Sequence, residues 1–375
     1  MSEGVRTQLQ SYPPHKVSVA RIQDELDGLW ESLYQNLSDG KAVTRACMSN
    51  LIIYCDDDEQ SREIEQAIPA IVQVHPARVI VLTGLGKTGE PGIEVFVSGH
   101  YATLASGWQV CAEQIRVVAD ADSSRRLPSV TRAHLVGDLP TTLWWASQQP
   151  PPFAGKLFFK LATMSDQIIY DSIGWTSPVQ GMKAMSRWVA AERSEHIIFN
   201  LAWRRLKPWR RLLSQVLDPA VQPGALESVS MVTIEHGPHA LANALLLLGW
   251  LATRLGWQPI SGKVLPTKKT IWQFNAAGHQ FPVTVTRLEQ GEPAPHKVHW
   301  CWRDTTGEHN AVFALLGDQR LGIVEDSSDV PVRVISAHEL TRSALVSAQL
   351  AHRTRDKLFE SALEIVNSMT SMLDA

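Results

Sequence analysis

Hydrophobic positions in the first 150 residues change repeatedly between helical and strand periodicity. From Val17 to Leu37, apolar residues recur every three or four positions with acidic residues between them, which predicts a helix with one apolar face. The segment DDDEQSREIEQAI predicts a second helix, because acidic residues stabilise the first turn of a helix. The strands predicted in this region are SNLIIYC, ARVIVL, GIEVFVSGHY, WQVCAEQIRVV and TTLWWAS. This order predicts a layered α/β domain with a mostly parallel or mixed sheet.

A run of three prolines divides the chain. The segment QQPPPF, residues 148–153, fits neither a helix interior nor a central strand, so it is the predicted linker. We therefore predict an N-terminal α/β domain over residues 1–150 and a C-terminal domain over residues 151–375. Alternatively, LWWAS, the helix after it and QIIYDS form one βαβ unit. The prolines then lie inside the first domain, and the boundary falls near 200–225.

The second half begins with the same alternation and ends differently. Between about Thr270 and Val334 the pattern becomes a series of short strands, which is typical of an antiparallel sheet. Residues Ser336 to Met369 predict a closing helix with at most one break. The fold class predicted for this half is therefore α/β to α+β. Its predicted short strands are TIWQF, FPVTVTRL, KVHWCW and NAVFALL.

Composition and charge narrow the function classes. The chain is 44% hydrophobic and 19% charged, as in ordinary globular proteins, and its net charge of -3 argues against a nucleic-acid partner. The most apolar stretch, Ala240 to Ala252, is shorter than a membrane span and predicts a buried helix. The N-terminal segment lacks the apolar region of a signal peptide, so we expect a cytoplasmic protein without a membrane anchor.

The cysteines and histidines do not form a recognisable site. Four cysteines, at positions 47, 55, 111 and 301, show no CxxC and no zinc-ligand spacing, which favours reduced thiols. His296, His299 and Cys301 are candidate metal ligands, as are His236 and His239. Structural or surface roles are the more frequent case for both groups, however, and we predict no metal site.

Catalytic and cofactor motifs are also missing from the sequence. GLGKTG, residues 84–89, has valine at the position of the first glycine of a phosphate-binding loop, and a strand follows it instead of a helix. No motif pairs a nucleophile with a base. We therefore predict no catalytic residues and no cofactor.

The segment NLAWRRLKPWRRLLSQVLDP, residues 200–219, has the most unusual composition of the chain. Pro208 suits the first turn of a helix, from which Trp209, Leu212, Leu213 and Val216 form an apolar stripe. The arginines around this helix start have three interpretations. They pair with acidic segments of the chain itself, they meet an acidic partner or a phosphorylated ligand, or they bind nucleic acid, which the net charge makes the weakest of the three.

Six segments of the chain form a recognisable series: NLIIY (50–54), HPARVIVL (75–82), GDLPTTLWW (137–145), YDS (170–172), NLAWRRLKPWRRLL (200–213) and LLLLGWLATRLGW (245–257). Together they resemble the glucose-6-phosphate dehydrogenase assembly protein family, known as OpcA. They occur in the family's order and span roughly residues 45 to 260. The resemblance implies a non-catalytic protein that binds glucose-6-phosphate dehydrogenase, promotes its active oligomer and raises its activity, in the pathway that supplies NADPH.

This resemblance gives the arginine-rich segment a candidate partner. Trp144 and Trp145 lie on a predicted strand and are expected to face opposite sides of it, one towards the core and one towards a surface or crevice. The alternative function is a sugar-phosphate-binding α/β enzyme or sensor, whose site would lie near Arg78, Asp138 or Asp171. The sequence does not predict the oligomeric state. The predicted partner-binding residues are Trp203, Arg204, Arg205, Arg210 and Arg211, together with Trp144 and Trp145.

Overall fold

Two eight-stranded sheets and ten α-helices make up the part of the chain that the structure describes. The computed structural model describes residues 9–36, 47–85, 91–104, 107–191, 195–317, 320–324, 331–337 and 341–373.

The first sheet is mixed, with six parallel strands and an antiparallel edge. Its strand order is β1-β4-β5-β3-β2-β6-β7-β8, and the six strands from β5 to β8 in this order pair in parallel. β1 and β4 pair antiparallel at one side. This confirms the predicted layered α/β domain with a mixed sheet. The strands are β1 Leu9–Val17, β2 Asn50–Cys55, β3 Arg78–Thr83, β4 Ile93–Leu104, β5 Gly107–Ala119, β6 Thr141–Trp145, β7 Gln167–Tyr170 and β8 Ile197–Asn200.

Helices cover both faces of the first sheet, and the central strands are buried throughout. Every residue of β2, β3, β6 and β7 is buried, as expected for parallel strands between two helical layers. Asp57 caps α2, because its side chain accepts a hydrogen bond from the backbone N–H of Gln60. The helices of this part are α1 Ile22–Asn36, α2 Asp58–Val74, α3 Leu127–His134, α4 Lys156–Ala162 and α5 Pro178–Ala191.

The proline run lies inside this sheet region. Pro151–Ala154 form a short 3-10 helix between β6 and α4, and β7 then pairs in parallel with β6. The predicted alternative, one βαβ unit that includes the prolines, is therefore confirmed. The position of the domain boundary itself stays a prediction.

The second sheet is mostly antiparallel, as predicted. Its order is β10-β11-β12-β9-β13-β14-β15-β16, and the pairing of β12 with β9 is its parallel one. The predicted closing helix has one break, between α9 and α10. The strands are β9 Val229–His236, β10 Gln258–Leu265, β11 Lys269–Ala276, β12 His279–Arg287, β13 Pro295–Asp304, β14 Gly307–Leu316, β15 Arg320–Val324 and β16 Pro331–Ser336. The helices are α6 Leu201–Arg205, α7 Lys207–Val216, α8 Leu241–Leu255, α9 Arg342–Leu350 and α10 Lys357–Ser371.

Helix α8 is the centre of the second layer. Eleven consecutive residues, Ala242 to Ala252, are buried, which confirms the predicted buried helix. Gly249 allows α10 to approach closely, since a Cβ at this position would lie 2.6 Å from the carbonyl oxygen of Ala362. Behind α8, Trp257 stacks on Trp300 with 5.4 Å between ring centroids. Within the described ranges, no helix is long and apolar enough to cross a membrane.

Candidate functional site: a sheet-edge crevice and a basic groove

The arginine-rich segment forms two short helices directly after β8. Asn200 ends the strand and caps α6, because its Oδ1 accepts the backbone N–H of Ala202 at 2.9 Å. Leu206 separates α6 from α7, and Pro208 lies in the first turn of α7 as predicted. The predicted apolar stripe of α7 is confirmed: its members Trp209, Leu212, Leu213 and Val216 are all buried. The charged side chains of the two helices border two different cavities.

The first cavity is a shallow basic groove of about 340 Å³. The guanidinium carbon of Arg210 lies 3.7 Å from the centre of the Trp203 ring, a cation–π contact. Trp203 Nε1 donates to Asp356 Oδ2 at 2.8 Å. Burial lowers the pKa of Arg210 to about 10, and the negative charge of Asp356 opposes that shift. The residues that line the groove are Trp203, Lys207, Arg210, Arg211, Ser214, Trp250, Arg254, Asp356 and Leu358.

Cations outnumber acids in this basic groove. Lys207, Arg211 and Arg254 are exposed, and none of them has a carboxylate within ion-pair distance among the described residues. Asp356 is the single acidic residue of the lining. The Nη1 of Arg210 is buried without a hydrogen-bond partner in the described part of the chain. An array of this kind can form charge-assisted hydrogen bonds with carboxylates of a binding partner.

The second cavity is a crevice of about 800 Å³ at the carboxyl edge of the parallel strands. Open α/β sheets place their ligands at this edge. Ala146 to Gln148 follow β6, Asp171 follows β7, and Arg204 and Arg205 follow β8, so all of them lie on one wall. The opposite wall comes from the second sheet, through residues 291–294 and 315–317. The crevice therefore lies between the two sheets.

The charged residues of the crevice differ in how well they are paired. Arg205 Nη1 lies 2.7 Å from Asp171 Oδ2, and Arg342 Nη1 lies 2.9 Å from Glu63 Oε1. Arg204 instead donates to the neutral amide oxygen of Gln349 at 3.3 Å, and burial lowers its pKa. The ion-pair interpretation of the arginine cluster thus holds for Arg205.

A third cavity, of about 870 Å³, adjoins the crevice. The two share Gln148, Ile173, Gly291 and Pro293, so the space between the sheets is continuous. His239 borders this cavity with φ of 62°, a left-handed conformation that is uncommon outside glycine.

The predicted tryptophan pair of β6 is buried. Trp144 and Trp145 are each 1% exposed and pack in two different core clusters, which confirms their opposite orientation. Trp145 stacks on Tyr54 with 4.2 Å between ring centroids, whereas Trp144 borders the crevice. The expectation of one core residue and one crevice residue therefore holds in part, since Trp144 is also core. Neither ring offers surface area to a partner in this conformation.

Of the three positions proposed for the alternative function, the crevice contains one. Asp171 lines it, whereas Arg78 and Asp138 line none of the three cavities. Arg78 forms a buried ion pair with Glu113, with 2.6 Å between Nη2 and Oε2. Arg78 is therefore part of the interior of the first sheet.

The remaining candidate ligands do not assemble into a metal site. Among the described residues, no group of three or more His, Cys, Asp or Glu side chains could hold a metal ion. Cys301 Sγ lies 3.4 Å from His299 Nε2, and His296 Nε2 lies 2.9 Å from the carbonyl oxygen of Glu292. Burial raises the pKa of the Cys55 thiol, which keeps it protonated and unreactive.

Two features of the sequence analysis lie partly or wholly outside the described residues. The Cys111 side chain belongs to this group, as does the part of GLGKTG from Gly86 onwards. The described chain resumes at residue 91 and continues into β4, so a strand follows the glycine-rich segment, as predicted.

The sheets and cavities define an α/β protein with a cavity at the carboxyl edge of its parallel strands. Two family models match consecutive parts of the chain. The model for the glucose-6-phosphate dehydrogenase subunit N-terminal domain matches residues 69–187, and the one for the C-terminal domain matches residues 197–363. Together they cover about three quarters of the chain. The chain belongs to the OpcA family of glucose-6-phosphate dehydrogenase assembly proteins.

Curated relatives match about half of the chain. The chain is 34% identical over 190 residues to the "Putative OxPP cycle protein OpcA" of Nostoc punctiforme, which is 50% of this chain and 39% of that protein. It is 28% identical over 199 residues to the protein of the same name from Synechocystis, 52% of this chain and 40% of the relative. The chain thus spans about two fifths of the length of these relatives.

Solved structures show a weaker likeness. One titled "putative oxidoreductase" from Parabacteroides merdae has a TM-score of 0.48 and 9% identity, covering 89% of this chain and 99% of the other. An NAD binding oxidoreductase from Klebsiella pneumoniae has a TM-score of 0.46 and 8% identity, covering 88% and 98%. Likenesses at this level do not bear on the chemistry of this chain.

Proposed function

We propose that this chain binds glucose-6-phosphate dehydrogenase through the basic groove and stabilises the active oligomer of that enzyme without catalysing a reaction itself. It would act beside the dehydrogenase in the cytoplasm, in the oxidative pentose phosphate pathway that produces NADPH. The observation that carries the proposal is the excess of exposed cations in the groove, which have no ion pair among the described residues, in a chain whose net charge is -3. Family membership supports the choice of partner.

The groove has the features of a protein contact site. Arg and Trp are the residue types most often found at the energetic centre of protein interfaces. Arg210 and Trp203 supply a packed pair at the centre, and Lys207, Arg211 and Arg254 surround it as exposed cations. An acidic surface of the partner would pair with these cations and supply acceptors to the desolvated guanidinium of Arg210.

Activation requires only a modest difference in binding energy. A protein that shifts a partner's equilibrium must bind the active form more tightly than the inactive form. A tenfold shift corresponds to about 1.4 kcal/mol. A few charge-assisted hydrogen bonds formed only with the active oligomer are sufficient for that difference.

The test removes charge from the groove without touching the core. We expect Lys207→Gln, Arg211→Gln and Arg254→Gln together to weaken binding to the dehydrogenase of the same organism, because three positive charges are lost. All three side chains are exposed, so the fold should not change. Exposed ion pairs contribute about 0.2–1 kcal/mol each, so the dissociation constant should rise roughly tenfold. Biolayer interferometry measures binding, and the dehydrogenase rate with size-exclusion chromatography measures activation and oligomer size.

The matched control carries the same loss of charge elsewhere. Arg125→Gln, Arg126→Gln and Arg132→Gln change three exposed arginines in or before α3, outside the groove, and should leave binding unchanged. If both triple variants weaken binding to the dehydrogenase equally, the effect comes from net charge alone. That result would contradict the proposal that the groove is the contact site. A dehydrogenase whose rate and size do not respond to the wild-type chain would contradict the proposed function as a whole.

A further inference from the structure

The crevice between the two sheets contains two cations that have no carboxylate partner in the described part of the chain. Arg204 is half-buried, and within the described ranges its side chain bonds only the neutral side chain of Gln349, although its guanidinium carries five N–H donors. Lys207 is exposed at the edge of the crevice and has no ion pair among the described residues. Arg205 and Arg342, in contrast, are paired with Asp171 and Glu63. The unpaired charges are thus concentrated where α6 meets α7.

The first turn of α7 adds to the positive potential at this point. Lys207, Pro208 and Trp209 begin this helix and line the crevice, and Leu206 provides no side-chain cap. Pro208 has no N–H, so the backbone donors of this turn are those of Lys207 and Trp209. The backbone N–H groups of a first helical turn have no intrahelical partner, and the helix dipole favours an anion there. Among the described lining residues, Glu292 is the carboxylate without an ion pair, and it is exposed on the opposite wall.

The rest of the crevice suits an uncharged body attached to an anion. Ile173, Leu315 and Leu321 contribute apolar surface, and the volume of about 800 Å³ lies within the usual range for small-molecule sites, roughly 300–1,000 Å³. Gln148 is exposed where the crevice meets the adjoining cavity, and its amide makes no side-chain hydrogen bond within the described chain. A free amide can recognise hydroxyl groups or ring nitrogens.

We propose that this crevice is a binding site for a small organic phosphate, with Arg204 and Lys207 as the phosphate ligands and Gln148 as a contact for the uncharged body. A phosphate monoester carries close to two negative charges at neutral pH, which match these two cations.

The hydroxyl and carboxylate groups on the first-sheet wall of the crevice already have partners within the fold. Ser147, the hydroxyl nearest the end of β6, donates to Asp56 at 2.8 Å, and Asp171 is held by Arg205. We therefore assign binding alone to this site.

The test is isothermal titration calorimetry on the isolated chain, with glucose 6-phosphate and adenosine 5′-monophosphate as probes. Inorganic phosphate, glucose and adenosine serve as the separate halves of these ligands. We expect at least one of the two organic phosphates to bind about tenfold more tightly than inorganic phosphate and than its own phosphate-free body, because both parts of the crevice contribute. Equal affinity for inorganic phosphate, or no heat with either organic phosphate at millimolar concentration, would overturn the site.

Two variants locate the binding within the molecule. Arg204→Gln should weaken the tighter organic phosphate about tenfold or more, whereas Arg211→Gln, which removes an exposed charge from the groove and not from the crevice, should leave it within about twofold. Gln148→Trp fills the crevice from an exposed position, so it should abolish binding at an unchanged unfolding midpoint. If Arg204→Gln prevents folding, Gln148→Trp decides: unchanged affinity in that variant contradicts the proposal. The measurement uses no dehydrogenase, so its outcome is independent of the proposed function.

Discussion

Asp356 connects three parts of the groove at the scale of a single residue. Its Oδ2 accepts the indole N–H of Trp203 at 2.8 Å, and its Oδ1 accepts the backbone N–H of Phe359 at 3.0 Å, which caps α10. Its charge also counteracts the desolvation of Arg210, which stacks on the Trp203 ring. One carboxylate therefore fixes the position of the aromatic ring, the cation and the start of the last helix.

Replacing this carboxylate should cost more stability than the loss of a helix cap alone. We expect Asp356→Ala to lower the free energy of unfolding by about 2–3 kcal/mol, because it removes a cap, a bond to a buried indole and a counter-charge. Asp57→Ala, which removes only the cap of α2, should cost about 1 kcal/mol. Asp356→Asn keeps one acceptor oxygen, which can serve either the indole N–H or the backbone N–H, and removes the counter-charge, so it should cost less than Asp356→Ala and more than Asp57→Ala.

Urea unfolding followed by circular dichroism measures these differences. A value for Asp356→Ala no larger than that for Asp57→Ala would mean that Trp203 and Arg210 hold their positions without this residue. The groove would then depend on packing alone.

At the scale of elements, the contact between α8 and α10 depends on the absence of one side chain. A Cβ at Gly249 would lie 2.6 Å from the backbone oxygen of Ala362 and 2.9 Å from Val366. Backbone cannot move aside as a flexible side chain can, so the two helices would have to separate. Gly28 in α1 is the opposite case, because no atom would lie within 4 Å of an added Cβ.

Two alanine substitutions should therefore have opposite signs. We expect Gly249→Ala to lower the free energy of unfolding by about 1–3 kcal/mol through overpacking. Gly28→Ala should raise it by about 0.5–1 kcal/mol, because alanine has the higher helix propensity and meets no neighbour. Thermal and urea unfolding report both values. Stabilisation by Gly249→Ala would mean that α10 is not packed as closely on α8 as described here.

The sequence predicted those elements whose burial leaves a clear pattern. The parallel strands β2, β3 and β6 appear as continuous apolar runs because helices cover both faces. β1 and β10 were missed, because they are edge strands whose exposed positions leave little alternation. β8 was missed because it runs directly into α6, with Asn200 both ending the strand and capping the helix. The short strands at the other edge of the second sheet, β15 and β16, were also missed.

The candidate site was predicted in composition and not in geometry. The composition of the segment from Trp203 to Arg211 predicts one surface. The break at Leu206 instead directs Arg204 and Arg205 to the crevice and Arg210 and Arg211 to the groove. Pro208 was the available signal, because a proline in a first turn marks the start of a new helix. Asp356 and Arg254 come from distant segments, and no local pattern could place them beside Trp203.

At the scale of the whole molecule, buried imidazoles make stability depend on pH. Burial lowers the pKa of His75, His100, His134 and His236 from its ordinary value. The unfolded chain therefore binds more protons than the folded chain once the pH falls through the ordinary histidine range, near 6.5. The folded chain uses the imidazole of His100 for hydrogen bonds to two side chains, Ser11 Oγ at 2.9 Å and Gln114 Oε1 at 2.8 Å.

We expect the free energy of unfolding to fall as the pH is lowered from about 7.5 to about 5.5, above the range where most carboxylates titrate. Urea unfolding at a series of pH values gives the slope. His100→Gln with His236→Gln should flatten it, because glutamine keeps hydrogen-bonding groups at both positions and does not titrate. A double variant with the wild-type slope would assign the dependence to other groups.

Lys207 borders both the crevice and the groove. Its one flexible ammonium can serve an anion on either side, but not both at full strength. Under the two proposals, the organic phosphate and the dehydrogenase compete for this charge. Binding of either one therefore lowers the affinity of the chain for the other. Thermodynamic reciprocity makes this antagonism equal in both directions. Rising phosphoester levels would then release the dehydrogenase, and a saturating amount of the enzyme would expel the metabolite.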